Sequence, residues 1–226
     1  MTSERLSRWS SALLLALCLS VCAISAQAAS ILGMSLADAK KQDIFTFFHF
    51  KEMERQPDKD GASLVLLGTE CMGNSVIMIL NVVGKEDRIT LASLILPRKF
   101  VDGPTVGVFA RDITKSFLIQ TIPEADLPAC KTLISEIAFG GQKPEPVKDG
   151  KTTIDVVTGT KTKDGIKLVD QKATPKLPDT PTPGYAAYLG KQQKYMADYS
   201  QCGVNLINTE AKGTPTLNIL INRRSR

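Results

Sequence analysis

The side chains able to do chemistry in this chain of 226 residues are few: a single histidine, five cysteines and four tyrosines. His49 stands in the run Ile44-Phe45-Thr46-Phe47-Phe48-His49-Phe50, among four phenylalanines. A lone histidine excludes multi-histidine metal sites, and any Ser-His-Asp or Cys-His arrangement would have to use this one imidazole as base. Surrounded by rings, it reads as a packed or edge-exposed side chain. Asp58-Lys59-Asp60-Gly61 opens like a calcium loop, but the third ligand position and the distal glutamate are missing, so it reads as a turn. The sequence has no G-x-S-x-G elbow, no phosphate-binding G-x-x-x-x-G-K-[ST] loop and no G-x-G-x-x-G turn. No catalytic residue, metal or cofactor is expected from these patterns.

Cys18 and Cys22 lie in the apolar N-terminal segment, leaving Cys71, Cys130 and Cys202 for the body of the protein. No C-x-x-C pair supports a thioredoxin-like role. Cys71 and Cys202 fall at expected element ends beside Gly73 and Gly203, which suits a crosslink, and Cys71–Cys202 is the expected disulfide. Cys71–Cys130 and Cys130–Cys202 stay open, because connectivity is not written in a sequence. Cys130 falls in the first turn of an expected helix, where the dipole lowers a thiol pKa, but it also sits on the apolar stripe, so it reads as a buried, inert free thiol. The tyrosines Tyr185, Tyr188, Tyr195 and Tyr199 follow helical spacing from Tyr185 to Gln201. They form either a partner-binding face, since tyrosine offers flat amphipathic contacts, or the packed side of a helix.

The elements that must position these residues are mostly strands. Short apolar runs at Ser63–Gly68, Ser75–Val83 and Arg88–Leu96 are separated by polar turns, which predicts antiparallel neighbours. Ser75–Val83 is apolar on both faces, with Val76, Met78, Leu80 and Val82 on one and Ile77, Ile79 and Val83 on the other. It therefore requires cover on both sides. Strands are also expected at Ile44–Phe50, where a helix continuing to Arg55 is the alternative because Ile44, Phe47, Phe48 and Lys51 share a helical face, and at Thr105–Ala110, Ser116–Thr121, Val204–Ile207 and Thr216–Ile221. Helices are expected after Ser35 as N-cap, over Leu127–Phe139 behind Asp126, and over Tyr185–Gln201. Residues 142–184 are rich in lysine and proline and read as a hairpin (Thr152–Thr158 with Ile166–Val169 around Lys163-Asp164-Gly165) followed by a proline-stiffened linker. The fold class is α+β: one domain, 29–226, with a mainly antiparallel sheet. The Leu127 and Tyr185 helices cover one face, and the Ser35 helix or the lysine-rich hairpin is left for the other.

Residues 1–28 read as a signal peptide. Arg5 and Arg8 precede the apolar run Ser11–Ile24, and Ala26-Gln27-Ala28 gives a cleavage pattern. The run is shorter than the roughly 20 residues a membrane-spanning helix needs. Val21 before Cys22 fits a lipoprotein signal poorly. Cleavage after Ala28 leaves 198 of the 226 residues and no further long apolar segment. It also removes the only tryptophan, Trp9, and lowers the net charge from +5 to +4, since Arg5 and Arg8 leave with Glu4. Such a mild balance does not point to nucleic acid. The expected location is the periplasm or the extracellular space. The expected role is that of a non-enzymatic binding or accessory protein of a bacterial envelope, with an envelope protein or polysaccharide as partner. A periplasmic hydrolase without a recognisable motif is the alternative.

Overall fold

The computed structural model describes residues 30–140, 160–162, 165–167, 178 and 180–224. Two short helices, α1 (Leu36–Ala39) and α2 (Asp43–Phe47), precede four strands: β1 (Lys51–Pro57), β2 (Ala62–Cys71), β3 (Asn74–Val83) and β4 (Arg88–Pro97). Three helices follow, α3 (Arg98–Val101), α4 (Gly107–Thr121) and α5 (Leu127–Phe139), then a small strand pair, β5 (Thr160–Thr162) and β6 (Gly165–Lys167). The chain closes with α6 (Pro183–Tyr188), β7 (Lys194–Asp198), β8 (Cys202–Ala211) and β9 (Thr214–Arg223).

Seven strands form one antiparallel sheet in the order β1-β2-β3-β4-β9-β8-β7. It consists of two meanders joined at their last strands, β4 against β9, from Leu91↔Asn222 to Pro97↔Thr216. The tight hairpins explain the long, regular ladders. Met72-Gly73 (φ 51° and 71°) links β2 to β3, and Lys212-Gly213 (φ 50° and 78°) links β8 to β9. Two successive positive φ values give a turn whose twist matches that of the strands. β5 and β6 pair with each other as a separate two-stranded sheet.

Alternation along β3 sends Val76, Met78, Leu80 and Val82 into the core, all at or near zero exposure. The buried residues of α1, α2, α4, α5 and α6 belong to the same cluster. Burying each such aliphatic or aromatic side chain contributes about 1.5–3 kcal/mol. The described helices therefore form one layer on one face of the sheet. Gln120 ties the N-terminal segment to α4, since its carbonyl accepts from Ile31 N (2.7 Å) and its Oε1 from Ile44 N (3.2 Å). Arg98, only 13% exposed in its side chain, joins the sheet end to α6. Its Nη1 donates to Tyr188 O (2.7 Å) and its Nε to Asp102 (3.1 Å).

The structure confirms the central strands, α5 with its Gly140 stop (φ 64°), and the Ser35 cap, whose Oγ accepts from Asp38 N at 3.1 Å. Four expectations are corrected. The expected strand at Ile44–Phe50 is α2 followed by a turn at His49 (φ 55°), and β1 starts only at Lys51. The two strands expected at Thr105–Ala110 and Ser116–Thr121 are one helix, α4, because Ala110, Ile113, Thr114, Phe117, Leu118 and Thr121 are buried at helical spacing. The helix expected over Tyr185–Gln201 stops at Tyr188, where Gly190 (φ 72°) turns the chain, and residues 194–198 alternate half-buried and exposed as a strand. The Ser35 helix, α1, joins the helical layer rather than the opposite face of the sheet. The expected strand Thr152–Thr158 lies outside the described residues. Lys163 and Asp164 also lie outside the described residues, and the residues on either side of them, Thr160–Thr162 and Gly165–Lys167, pair as β5 and β6.

Candidate functional site

The residues first suspected of chemistry are not gathered into a catalytic centre. His49 is exposed at the end of α2. It lines neither of the two large surface clefts, one of about 1010 Å³ between residues 30–38 and 85–88, the other of about 620 Å³ between α2 and α4. In the larger cleft Arg88 pairs with Glu86 and donates to Gly33 O, and Asp87 pairs with Arg55 outside it, while Lys85 and Arg223 also line the cleft. Among the described residues no group of three or more His, Cys, Asp or Glu side chains could hold a metal ion.

The four tyrosines do not share one exposed surface. Tyr185 and Tyr188, 3% and 2% exposed, stack with their ring centroids 6.1 Å apart inside the core. Tyr195 on β7 and Tyr199 in the following turn are half-buried, with their hydroxyls 3.3 Å apart. Burial pushes the ionisation of Tyr185, Tyr188 and Tyr199 above the ordinary tyrosine range. Among the described residues the buried hydroxyls of Thr114 and Tyr188 lack a hydrogen-bond partner.

Cys71, Cys130 and Cys202 are all free. The Cys71–Cys202 bond is excluded by topology. Cys71 ends β2 and Cys202 begins β8, with β3, β4 and β9 between them. That separation is about 19 Å across the sheet alone, against the ~7 Å Cα limit of a disulfide. The two also lie at opposite ends of their strands, since Cys202 is level with Arg223 while Cys71 faces Asn74. Asp126 does precede α5, but its side chain does not cap that helix. Its Oδ1 accepts from Ser200 N (3.1 Å) and Ser200 Oγ, and its Oδ2 from Gln201 N (2.8 Å) and Cys202 N (3.0 Å). Burial pushes this carboxyl up, and the hydrogen bonds outweigh burial and hold it below its ordinary value.

Among the described residues, the feature left without a structural partner is the second face of the sheet. Three cross-strand rows cover it. The middle row reads Leu66, Ile79, Ser93, Leu220, Asn205, Met196 from β2 to β7. On one side of it runs Gly68, Ile77, Ile95, Asn218, Ile207, Lys194, and on the other Leu64, Asn81, Leu91, Asn222, Gly203, Asp198. Its aliphatic residues are half-buried by their neighbours and lie outside the helix-covered core. The polar members are mostly amides and a hydroxyl. Ser93 Oγ donates to Asn218 Oδ1 (2.7 Å), and Thr90 Oγ1 donates to Asn81 Oδ1 (2.9 Å). Within these rows the charges are Lys194 and Asp198 on the margin strand β7, and on the opposite margin Glu54 of β1 is level with Leu66. Two glycines let side chains lie flat on the sheet. Met53, at the bulge in β1, covers Gly68, and Asn222 Oδ1 lies 2.6 Å from where a Cβ of residue 203 would stand. Six strands about 4.8 Å apart and three rows about 6.7 Å apart make a surface of roughly 600 Å², approaching the ~800 Å² each partner contributes to a standard interface.

The signal for this face was present in the sequence as the second apolar set of β3, Ile77, Ile79 and Val83. The Leu64–Leu66, Leu91–Ile95 and Ile207–Leu220 contributions become one surface only through the strand order. Among the described residues no helix is long and apolar enough to cross a membrane. Comparison with protein-family models, with curated proteins and with solved structures finds no match.

Proposed function

We propose that this chain is an exported, non-enzymatic binding protein of a bacterial cell envelope, and that it holds a protein partner on the open face of its sheet. The observation that carries the reading is that face: aliphatic, uncharged across its centre, and unpartnered among the described residues. Export is supported by the N-terminal Arg5 and Arg8, the apolar run and Ala26-Gln27-Ala28. The chemistry of the face favours a polypeptide over a polysaccharide, because its rows hold Leu, Ile, Ser and Asn and no aromatic ring, while all four tyrosines lie elsewhere. A complementary partner offers a flat aliphatic surface edged by hydroxyl or amide groups that pair with Asn205, Asn218 and Asn222. Charge depletion at the centre with polar groups around it is the composition of an interface core. The hydrolase alternative has less support, since His49 lines neither of these two clefts.

The test is site-specific photocrosslinking in cells. A photoreactive residue is placed at Ile79 or Leu220 on the open face and, as control, at Asp112 on the outer side of α4. The expected result is one protein partner trapped from the open-face positions and not from Asp112, with its capture at Leu220 lost when Ile79→Lys is added. Equal capture from Asp112 would overturn the reading. So would open-face adducts made solely to residues 142–184 of the same chain, or solely to a second copy of it.

A further inference from the structure

We propose that Cys130 and Cys202 close a disulfide that pins α5 to the start of β8, leaving Cys71 as the unpaired thiol. Both residues are assembled around Asp126. Cys130 follows it by one helical turn and donates its N–H to Asp126 O (3.3 Å), while Cys202 donates its N–H to Asp126 Oδ2 (3.0 Å). Both side chains point into the layer between α5 and the sheet, at 1% and 0% exposure. Tyr199 lies beside the pair: its N–H donates to Cys202 O at 2.8 Å, and its side chain is close enough to Cys130 to perturb the ionisation of that thiol. Cys71 is excluded from either pairing by its place at the far end of the sheet.

The chemistry is thiol–disulfide exchange with an external disulfide, either a small molecule or an oxidised dithiol protein. One cysteine thiolate attacks the oxidant's disulfide, forming a mixed disulfide and releasing one oxidant thiol. The second cysteine then displaces the other oxidant sulfur, forming Sγ–Sγ and releasing the second thiol. Two electrons pass to the oxidant's sulfurs, and the two cysteine protons end on its thiols. In the folded, reduced protein burial raises both thiols, Cys202 to about 12 with help from its bond to Asp126, so thiolate is scarce and the exchange belongs to folding rather than to the finished molecule.

The protein carrying C18S and C22S, so that three thiols remain, is reduced, unfolded in urea, and refolded in a mixture of oxidised and reduced glutathione. Non-reducing peptide mapping should recover a Cys130–Cys202 crosslink and a freely alkylated Cys71. The bridge joins residues 72 positions apart, so the urea midpoint should rise by about 1 M or more over the reduced protein. C71S should keep both the crosslink and the shift, and C130S should lose both. A crosslink containing Cys71, or three free thiols after refolding, overturns the proposal. Because the mapping is done on the parent protein, the outcome stands even if C202S does not fold.

Discussion

At the residue scale, Asp126 accepts four hydrogen bonds from three successive residues, Ser200, Gln201 and Cys202. A carboxylate offers only acceptors, so it suits a turn that presents only donors; an amide puts an NH₂ where one oxygen stood. Asp126→Asn is expected to destabilise the protein by about 2–3 kcal/mol, as loss of charge-assisted bonds in a buried site does. The pH dependence has a definite sign. The folded carboxyl ionises below the ordinary value, so its stabilisation is fully present above about pH 4 and is lost as pH falls through the lower folded value. Urea midpoints measured from pH 6 down to pH 2 should drop less steeply in Asp126→Asn than in the parent; parallel curves would contradict this account. Tyr188 makes the opposite case. Its hydroxyl is buried near that of Thr114, and neither makes a hydrogen bond among the described residues, so Tyr188→Phe removes an unmet polar group and keeps the ring. The expected change is between zero and about 1 kcal/mol of added stability. A loss of more than that, by urea titration, would mean the hydroxyl is satisfied in solution.

At the element scale, α6 is six residues long and is held by its ends. Its N-cap, Thr182, donates both N–H (3.0 Å) and Oγ1 to the buried Glu136 of α5, and the same Oγ1 accepts from Tyr185 N at 3.3 Å. Beyond its C-terminal end, Asn208 of β8 donates to Ala187 O and Gln192 O, both at 2.8 Å. Asn208→Ala should cost about 2 kcal/mol through two lost bonds to backbone carbonyls. Amide exchange should speed up first in residues 183–198 and leave β3 and β4 protected; uniform exchange would count against α6 as a separately anchored unit. These anchors also mark where the sequence could be read and where it could not. β2, β3 and β4 were legible because alternation and turn residues agree, and α5 because its stripe meets a Pro start and a Gly stop. α4 was hidden because its apolar residues cluster at 105–110 and 116–121, two groups that also fit short strands, while the polar Arg111, Asp112 and Lys115 between them look like a turn. The tyrosine segment misled for a related reason: Tyr185, Tyr188 and Leu189 fit a helix, and the spacing of Tyr195 and Tyr199 extends that pattern across a glycine turn. Cysteine pairing was illegible because it depends on strand order, which no local pattern encodes.

At the scale of the whole molecule, the residues just after the expected cleavage site are tied into the core. Ser30 Oγ donates to Thr121 O at 2.6 Å, Ile31 N donates to Gln120 O at 2.7 Å, and Ile31 and Leu32 are buried in the core. A chain beginning at Ala29 therefore keeps these contacts with α4, whereas one beginning at Ser35 loses two buried aliphatic side chains and both hydrogen bonds. The first should fold as a cooperative unit. The second should be weaker by about 4 kcal/mol or more, given about 1.5–3 kcal/mol for each buried aliphatic side chain. The comparison is a pair of urea titrations followed by tyrosine emission, because Trp9 is the single tryptophan and lies before either start. Equal midpoints would mean that Ile31 and Leu32 add nothing to the core. The same signal tests export in cells: protein recovered from the periplasm should show tyrosine emission alone and an intact mass beginning at Ala29, and retained tryptophan emission would refute cleavage after Ala28.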